Sequence, residues 1–322
     1  MAEQVAHVGD LEICYETFGS ADDPALLLVM GLGTQMIAWP VGFCRQLAER
    51  GFHVIRYDNR DTGRSTHLRQ YRAPTTKQLL LRDKSAARYS LADMAADGIG
   101  LLDHLGIDRA HVAGASMGGM IAQTMAARHP DRVLSLASIM SNTGHRWKGM
   151  PGLRVYPVFL RRPAANREGA VESSVSVFRL IGSPGFPFDE EETRKAAALS
   201  YERGYDPAGT GRQLAAILAA GDRAAELRGI SAPTVVIHGS NDRMVRPSGG
   251  RATAAAIPGA RLVMIEGMGH DLPRGAWDRI VDTIVANAER ANASARPAAA
   301  WRDRLAEPVR SSARAYDPPR CR

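Results

Sequence analysis

Ala110-His111-Val112-Ala113-Gly114-Ala115-Ser116-Met117-Gly118-Gly119-Met120 is the stretch from which the rest of the chain can be read. Residues 110–113 form a short apolar run of strand length. Residues 120–128 read as a helix ended by His129-Pro130, because the residue before a proline is pushed out of helical geometry. Between the two lies Gly114-Ala115-Ser116-Met117-Gly118, a G-x-S-x-G. With 31 glycines in 322 residues, such a match carries little weight by itself. Its position directly between a strand and a helix gives it weight, since a nucleophile elbow needs that order. The turn is so tight that its flanks must be small, hence Gly114, Gly118 and Gly119. It lifts the Ser116 hydroxyl above the edge of a sheet. The rival reading is an ordinary strand-to-helix turn with a capping serine.

Outward from this turn, strands and helices alternate. Alternation in Leu11-Glu12-Ile13-Cys14-Tyr15-Glu16 predicts a half-buried strand, and residues 24–30 predict one buried on both faces. A turn, Met30-Gly31-Leu32-Gly33, follows. Residues 39–50 predict a helix closed by Gly51. His53-Val54-Ile55-Arg56-Tyr57 predicts the next strand. Ser90, with Asp93 three residues on, predicts the start of a helix stopped by Gly106. Strands are predicted at 133–140, 234–237 and 261–265, and a helix from Trp277 to about Glu289. This order implies α/β architecture, a doubly wound and mostly parallel sheet. It breaks between about 142 and 229, where helical pieces at 171–180, 190–203 and 211–220 appear without a clear strand. The expected organisation is a core from 1–141 and 230–290, an inserted helical cap over 142–229, and a basic tail over 291–322 outside the fold. Four of the seven phenylalanines, Phe159, Phe178, Phe186 and Phe188, fall in the cap. They serve either as an apolar inner surface or as the cap's own small core.

Composition excludes several classes. Hydrophobic residues at 45 % and charged residues at 23 % fit a globular chain rather than a disordered one or a coiled coil. No apolar run reaches the ~20 residues of a membrane span. The net charge is +7, but the last 32 residues hold seven Arg against Asp303, Glu307 and Asp317. More than half of the excess therefore sits in the tail, and no basic stripe interleaved with aromatics points to nucleic acid. A tail outside the fold is favoured over an anchor for anionic membranes. Cys14, Cys44 and Cys321 match neither a disulfide framework nor a zinc spacing. They fit a reducing compartment, and residues 1–5 show no secretory pattern, so a cytoplasmic location is expected. Gly98-Ile99-Gly100 lies inside a predicted helix and lacks the third glycine of a nucleotide loop. No metal or cofactor is expected.

A serine hydroxyl is a weak nucleophile at neutral pH and needs a base, which in turn needs an orienting carboxylate. The expected chain order is Ser, acid, His. His238 and His270 lie in the later strand region. His238 ends a strand, whereas His270 sits in the flexible loop Gly267-Met268-Gly269-His270 after the last strand. His270 is therefore the candidate base. Asp242, in Ser240-Asn241-Asp242 after the penultimate strand, is the candidate acid. Asp271 is the alternative acid, but it adjoins His270 in sequence and neighbouring side chains in a turn seldom face each other. An oxyanion hole needs two backbone N–H groups. Met117 supplies one. Leu32 supplies the other, from a turn in which Gly31 and Gly33 permit unusual backbone angles.

These features together resemble the α/β-hydrolases of the serine esterase and lipase type. The matching elements are Met30-Gly31-Leu32-Gly33, Asp58-Asn59-Arg60-Asp61-Thr62-Gly63-Arg64-Ser65, the elbow at Ser116, His238-Gly239-Ser240-Asn241-Asp242 and Gly269-His270. Residues 26–66, including Trp39-Pro40, particularly resemble aclacinomycin methylesterases and related bacterial esterases. The resemblance implies an eight-stranded α/β-hydrolase sheet. It also implies roles: Ser116 as nucleophile, Asp242 as acid, His270 as base, and Leu32 and Met117 as oxyanion donors. Two departures stand out. Many members carry His-Gly where this chain has Met30-Gly31, and many carry Gly where Asp61 stands. The 58–65 segment is read as a structural turn in which Asp58 and Arg60 satisfy buried backbone groups. The expected reaction is hydrolysis of a small-molecule ester without a cofactor. Met30, Met117, Met120 and Met268 suggest an adaptable apolar pocket suited to an apolar acyl or polyketide-like ester. Rival chemistries on the same residues are C–C hydrolysis, lactone opening, peptide cleavage and cofactor-free perhydrolysis. A rival from another class is a ligand-binding or signalling protein with little turnover.

Overall fold

A computed structural model of the chain describes residues 2–159 and 162–295, apart from the side chains of 159 and 292–295. The strands are β1 (Gln4–Val8), β2 (Leu11–Phe18), β3 (Ala25–Val29), β4 (His53–Tyr57), β5 (Ala110–Ala115), β6 (Val133–Ile139), β7 (Thr234–Gly239) and β8 (Arg261–Ile265). They form one eight-stranded sheet in the order β1-β2-β4-β3-β5-β6-β7-β8. β1 and β2 run antiparallel to their neighbours, and every other pairing is parallel. β3 lies between β4 and β5, so the connections leave it toward opposite sides. Such a switch point opens a crevice beyond the carboxyl ends of the strands. The turn after β3 and the elbow after β5 both stand there.

The helices are α1 (Val41–Glu49), α2 (Thr76–Leu80), α3 (Leu91–His104), α4 (Met117–Arg128), α5 (Tyr156–Phe159), α6 (Arg167–Ile181), α7 (Glu190–Gly204), α8 (Pro207–Ala220), α9 (Ala224–Leu227), α10 (Pro247–Ala256) and α11 (Trp277–Ala295). Two buried clusters cover the two faces of the sheet, with inward residues alternating along each strand. In β3, Leu27 and Val29 join one cluster, and Leu26 and Leu28 join the other. α3 and α4 cover the first face, while α1 and α11 cover the second. Two-sided burial is why β3 reads as a continuous apolar run, and why β4, β5 and β7 are buried throughout.

Local signals worked where they name a physical partner. Ser90 and Asp93 form a reciprocal capping box at the start of α3. Gly51 and Gly106 both take positive φ just past helix ends. Gly98 and Gly100 lie inside α3, and their lack of a side chain lets Tyr57 and Val8 approach the helix. Three differences from the sequence reading have local causes. α4 begins at Met117 rather than Met120, because the elbow leads straight into the helix. α8 begins at Pro207, capped by the Asp206 carboxylate on the Gly209 N–H, with proline in the first turn where its missing N–H costs nothing. α11 continues to Ala295, and Ala291 is buried, so the fold extends past the predicted start of the tail at 291. The rest of the predicted tail, 296–322, lies outside the described residues.

The stretch between β6 and β7 is helical, and its helices bond loops that follow the strands. Arg203 at the end of α7 bonds Asp58, Gln35 and Glu3 at 2.8, 2.6 and 2.7 Å. Arg212 on α8 forms a two-pronged pair with Asp61 at 2.6 and 2.8 Å. Phe186 packs against the second core cluster and Phe188 is exposed, while the side chain of Phe159 is outside the described set. Cys14 and Cys44 are buried free thiols. Among the described residues no helix is long and apolar enough to cross a membrane.

Candidate active site

Ser116 stands between β5 and α4 with φ +57° and ψ −120°. A non-glycine residue held in this region typically stores ~1–3 kcal/mol of strain. Its neighbours make the turn feasible. A Cβ at Gly114 would strike the Gly118 carbonyl, one at Gly118 would strike the Val29 carbonyl, and one at Gly119 would lie 2.6 Å from the Ser141 side chain. The Ser116 N–H donates to the Ile139 carbonyl at 2.9 Å, which ties the elbow to β6.

The structure brings the three predicted side chains together. His270 Nε2 lies 2.9 Å from Ser116 Oγ, and His270 Nδ1 lies 2.7 Å from Asp242 Oδ2. The Asp242 carboxylate is fully buried, and its other oxygen accepts the Met244 and Val245 N–H groups at 2.9 and 2.8 Å. One oxygen is thus fixed by backbone, leaving the other for the imidazole. With a carboxylate on Nδ1, that nitrogen carries the proton, and Nε2 is left as the acceptor facing the serine hydroxyl.

Asp271, the alternative acid, faces away. It bonds the Ser183 hydroxyl, and burial pushes its carboxyl above the usual range. His238 is buried in the sheet and donates from Nε2 to the Val245 carbonyl at 2.7 Å, with Asp242 Oδ2 at 3.5 Å. Burial is the largest influence on its imidazole and pushes it toward the neutral form. A Cβ at position 250 would lie 2.5 Å from its Nδ1, so Gly250 makes room for the ring.

The turn after β3 comes close to the elbow. A Cβ at Gly31 would sit 3.1 Å from the Ser116 Cβ and 3.7 Å from its Oγ. Gly33 takes φ +61° as expected, whereas Gly31 does not have positive φ. Position 31 therefore calls for a small residue for reasons of space, not of backbone angle. Asn59 Nδ2 donates to the Met30 carbonyl at 2.9 Å and anchors the start of the turn. Leu32 lies between the two glycines, and Met117 is the first residue of α4. Met117 thus directly follows Ser116, and Leu32 directly follows Gly31, the residue that approaches Ser116.

The 58–65 segment is structural, but only half in the expected manner. Asp58 accepts the Met36 and Arg64 N–H groups at 2.7 and 3.0 Å, as foreseen. Arg60 instead forms a two-pronged pair with Asp97, both bonds at 2.6 Å. Met30, Met117, Met120 and Met268 are all buried within the two core clusters.

Sequence reasoning missed the residues through which the insertion holds the site. The Gln213 carboxamide on α8 accepts the Gly33 N–H at 2.8 Å. Gln35 donates to the carbonyls of Ser200 and Gly204 at 2.7 and 3.0 Å. On the histidine side, the His270 N–H donates to the Ile181 carbonyl at 2.8 Å, and the Gly269 N–H donates to the Ser183 hydroxyl at 2.8 Å. No local motif marks these residues, because their partners lie far off in the chain. Asp61, His67 and Asp206 come within 4.8 Å of one another, a spacing a cation could use. Arg212 already engages both oxygens of Asp61 and approaches Asp206 at 3.4 Å, and both ring nitrogens of His67 are hydrogen-bonded. The cluster is charge-paired from within.

Sheet order, elbow and histidine loop define an α/β-hydrolase, and a family model described as the alpha/beta hydrolase fold matches residues 24–273. The chain belongs to that family. Among its relatives is rhodomycin D methylesterase DnrP of Streptomyces peucetius, 31 % identical over 297 residues, covering 86 % of this chain and 94 % of the relative. The 3-oxoadipate enol-lactonase 2 of Acinetobacter baylyi is 27 % identical over 259 residues, 80 % of this chain and 86 % of the relative. Of solved structures, the enol-lactonase from Burkholderia xenovorans LB400 superposes with a TM-score of 0.67 at 27 % identity, covering 88 % of this chain and 99 % of that one.

Proposed function

We propose that the chain hydrolyses carboxylic esters through Ser116, His270 and Asp242, by way of an acyl-enzyme. The observation that carries this reading is one imidazole bridging a strained serine at 2.9 Å and a buried carboxylate at 2.7 Å. In the proposed reaction His270 takes the Ser116 proton as Oγ attacks the acyl carbon. Asp242 holds the ring and stabilises the imidazolium. The Leu32 and Met117 N–H groups donate to the developing oxyanion, where one such donor is typically worth ~3–4 kcal/mol. His270 then protonates the leaving alcohol. Water, deprotonated by the same ring, attacks the acyl carbon, and collapse of the second tetrahedral intermediate releases the acid and restores Ser116.

The substrate reading is a small-molecule ester with an apolar, polyketide-like acid and a small alcohol. It is supported by the methylesterase relatives, which match along nearly their whole length. Residues 142–229 act in this reading as a cap over the site, on a core of 1–141 and 230–290. A panel of p-nitrophenyl acyl esters and methyl esters of aromatic acids tests it, with Ser116→Ala as control. Turnover is expected in the full chain, and the variant is expected to lose at least about a thousandfold in kcat. Ester release that persists in Ser116→Ala would overturn the reading.

A further inference from the structure

We infer that Gln213, on inserted helix α8, is a positioning residue that sets the oxyanion turn. The inference rests on the reading of Leu32 as an oxyanion donor. Gln213 is fully buried, and all of its hydrogen-bonding capacity is directed at the core loops. Its Nε2 donates to the Arg60 carbonyl at 2.8 Å and to the Thr62 hydroxyl at 2.7 Å. With both amide hydrogens so used, Oε1 has one orientation, and in it accepts the Gly33 N–H at 2.8 Å.

That N–H follows directly on Leu32. Gly33 sits at φ +61°, a conformation a glycine leaves as readily as it enters. Within the turn, the Thr34 N–H donates to the Gly31 carbonyl at 3.2 Å and the Thr34 hydroxyl to the Leu32 carbonyl at 3.0 Å. From outside, α8 adds two further constraints, which reach the Gly33 side of the Leu32–Gly33 peptide unit. Gln213 holds the Gly33 amide, and Thr210 lies so close that a Cβ at position 33 would come within 2.6 Å of its hydroxyl. The peptide unit next to Leu32 is thereby fixed from the insertion, and the direction of the Leu32 N–H with it. Preorganised donors act on the transition state rather than on ground-state binding, so loss of this tie belongs in kcat.

Gln213→Met keeps the length and volume of the side chain and removes its polar atoms. Its test has two readouts, amide hydrogen exchange of a peptide spanning residues 30–36 and steady-state kinetics on a p-nitrophenyl ester. Exchange is expected to speed up at least about tenfold, with kcat falling about ten- to a hundredfold and KM staying within about threefold. Ser90→Ala, which removes a distant helix cap, serves as the control for general destabilisation and is expected to change neither readout. Unchanged exchange in Gln213→Met overturns the inference, as does a kcat loss that Ser90→Ala reproduces or a loss confined to KM. Should Gln213→Met fail to fold, Gln213→Asn keeps the amide but falls short of Gly33, and the same outcomes apply. If the wild-type chain turns over no ester, the ester reading falls, while exchange at 30–36 still decides the role of Gln213.

Discussion

Asp61 takes a φ of +65°, a backbone angle that favours glycine. An aspartate tolerates that angle here because its carboxylate is used four times. It accepts the Leu68 N–H at 2.7 Å and the Tyr89 hydroxyl at 2.8 Å, and it takes both prongs of Arg212. Arg212 is itself 2 % exposed, so the pair stands or falls together. Asp61→Ala strands a buried guanidinium, which typically costs about 3–5 kcal/mol. Its urea midpoint should fall accordingly. Asp61→Gly loses the same pair but relieves the backbone, and should lie between Asp61→Ala and the parent chain. At this scale the sequence was legible where chemistry demands a motif. Ser116, Asp242 and His270 each follow a strand in a turn whose residues announce it. Arg212 and Gln213 were not legible, because Asp61, Thr62 and Gly33, which they hold, are 151 residues or more away and nothing in a helix of Gly, Ala and Leu marks them.

The insertion reads from sequence as a helical cap, with nothing to say what it holds. In the structure these helices fasten two loops, α7 and α8 on the turn after β3, and the end of α6 with its following residues on the loop before His270. The second contact is backbone against backbone. A Cβ at Gly269 would fall onto the Gly182 carbonyl, and Gly185 and Gly267 meet through an N–H to carbonyl bond of 2.9 Å. Gly269→Ala therefore cannot be absorbed by a side-chain rotation. It should push the insertion and the histidine loop apart at a cost of about 1–3 kcal/mol in stability. A kcat reduced at least about tenfold, measured beside the melting temperature, is the expected signature of a displaced imidazole. The helices themselves were readable from caps and periodicity. β1 was not, since it is an edge strand with Val5 half exposed and only Ala6 fully buried.

Across the whole molecule, acid is expected to weaken the fold through a buried histidine of the sheet, His111. His111 is buried in β5, beside the Ser135 hydroxyl at 2.8 Å and edge-on to Phe52. Burial pushes its imidazole down to about 4. The unfolded chain, with an ordinary histidine near 6.5, binds the proton more readily. Stability is thus intact above about pH 6.5 and is lost as pH falls toward 4, by on the order of 3 kcal/mol. Thermal melts at pH 7, 5.5 and 4 should show this slope, and His111→Gln should flatten it. The sheet class was legible because two-sided burial writes itself as apolar runs, whereas the strand order came only from the structure. How the insertion closes over those strands was not legible either, because it depends on pairings between distant polar residues.

The double fastening of the insertion has a practical outcome for protein engineers. A segment swap that transplants 142–229 from a cousin, in the hope of importing its substrate preference, would also import whatever that cousin uses in place of Gln213 and Ser183. Such hybrids should come out slow before they come out selective, until the grafted piece is given back its grip on Gly33 and Gly269.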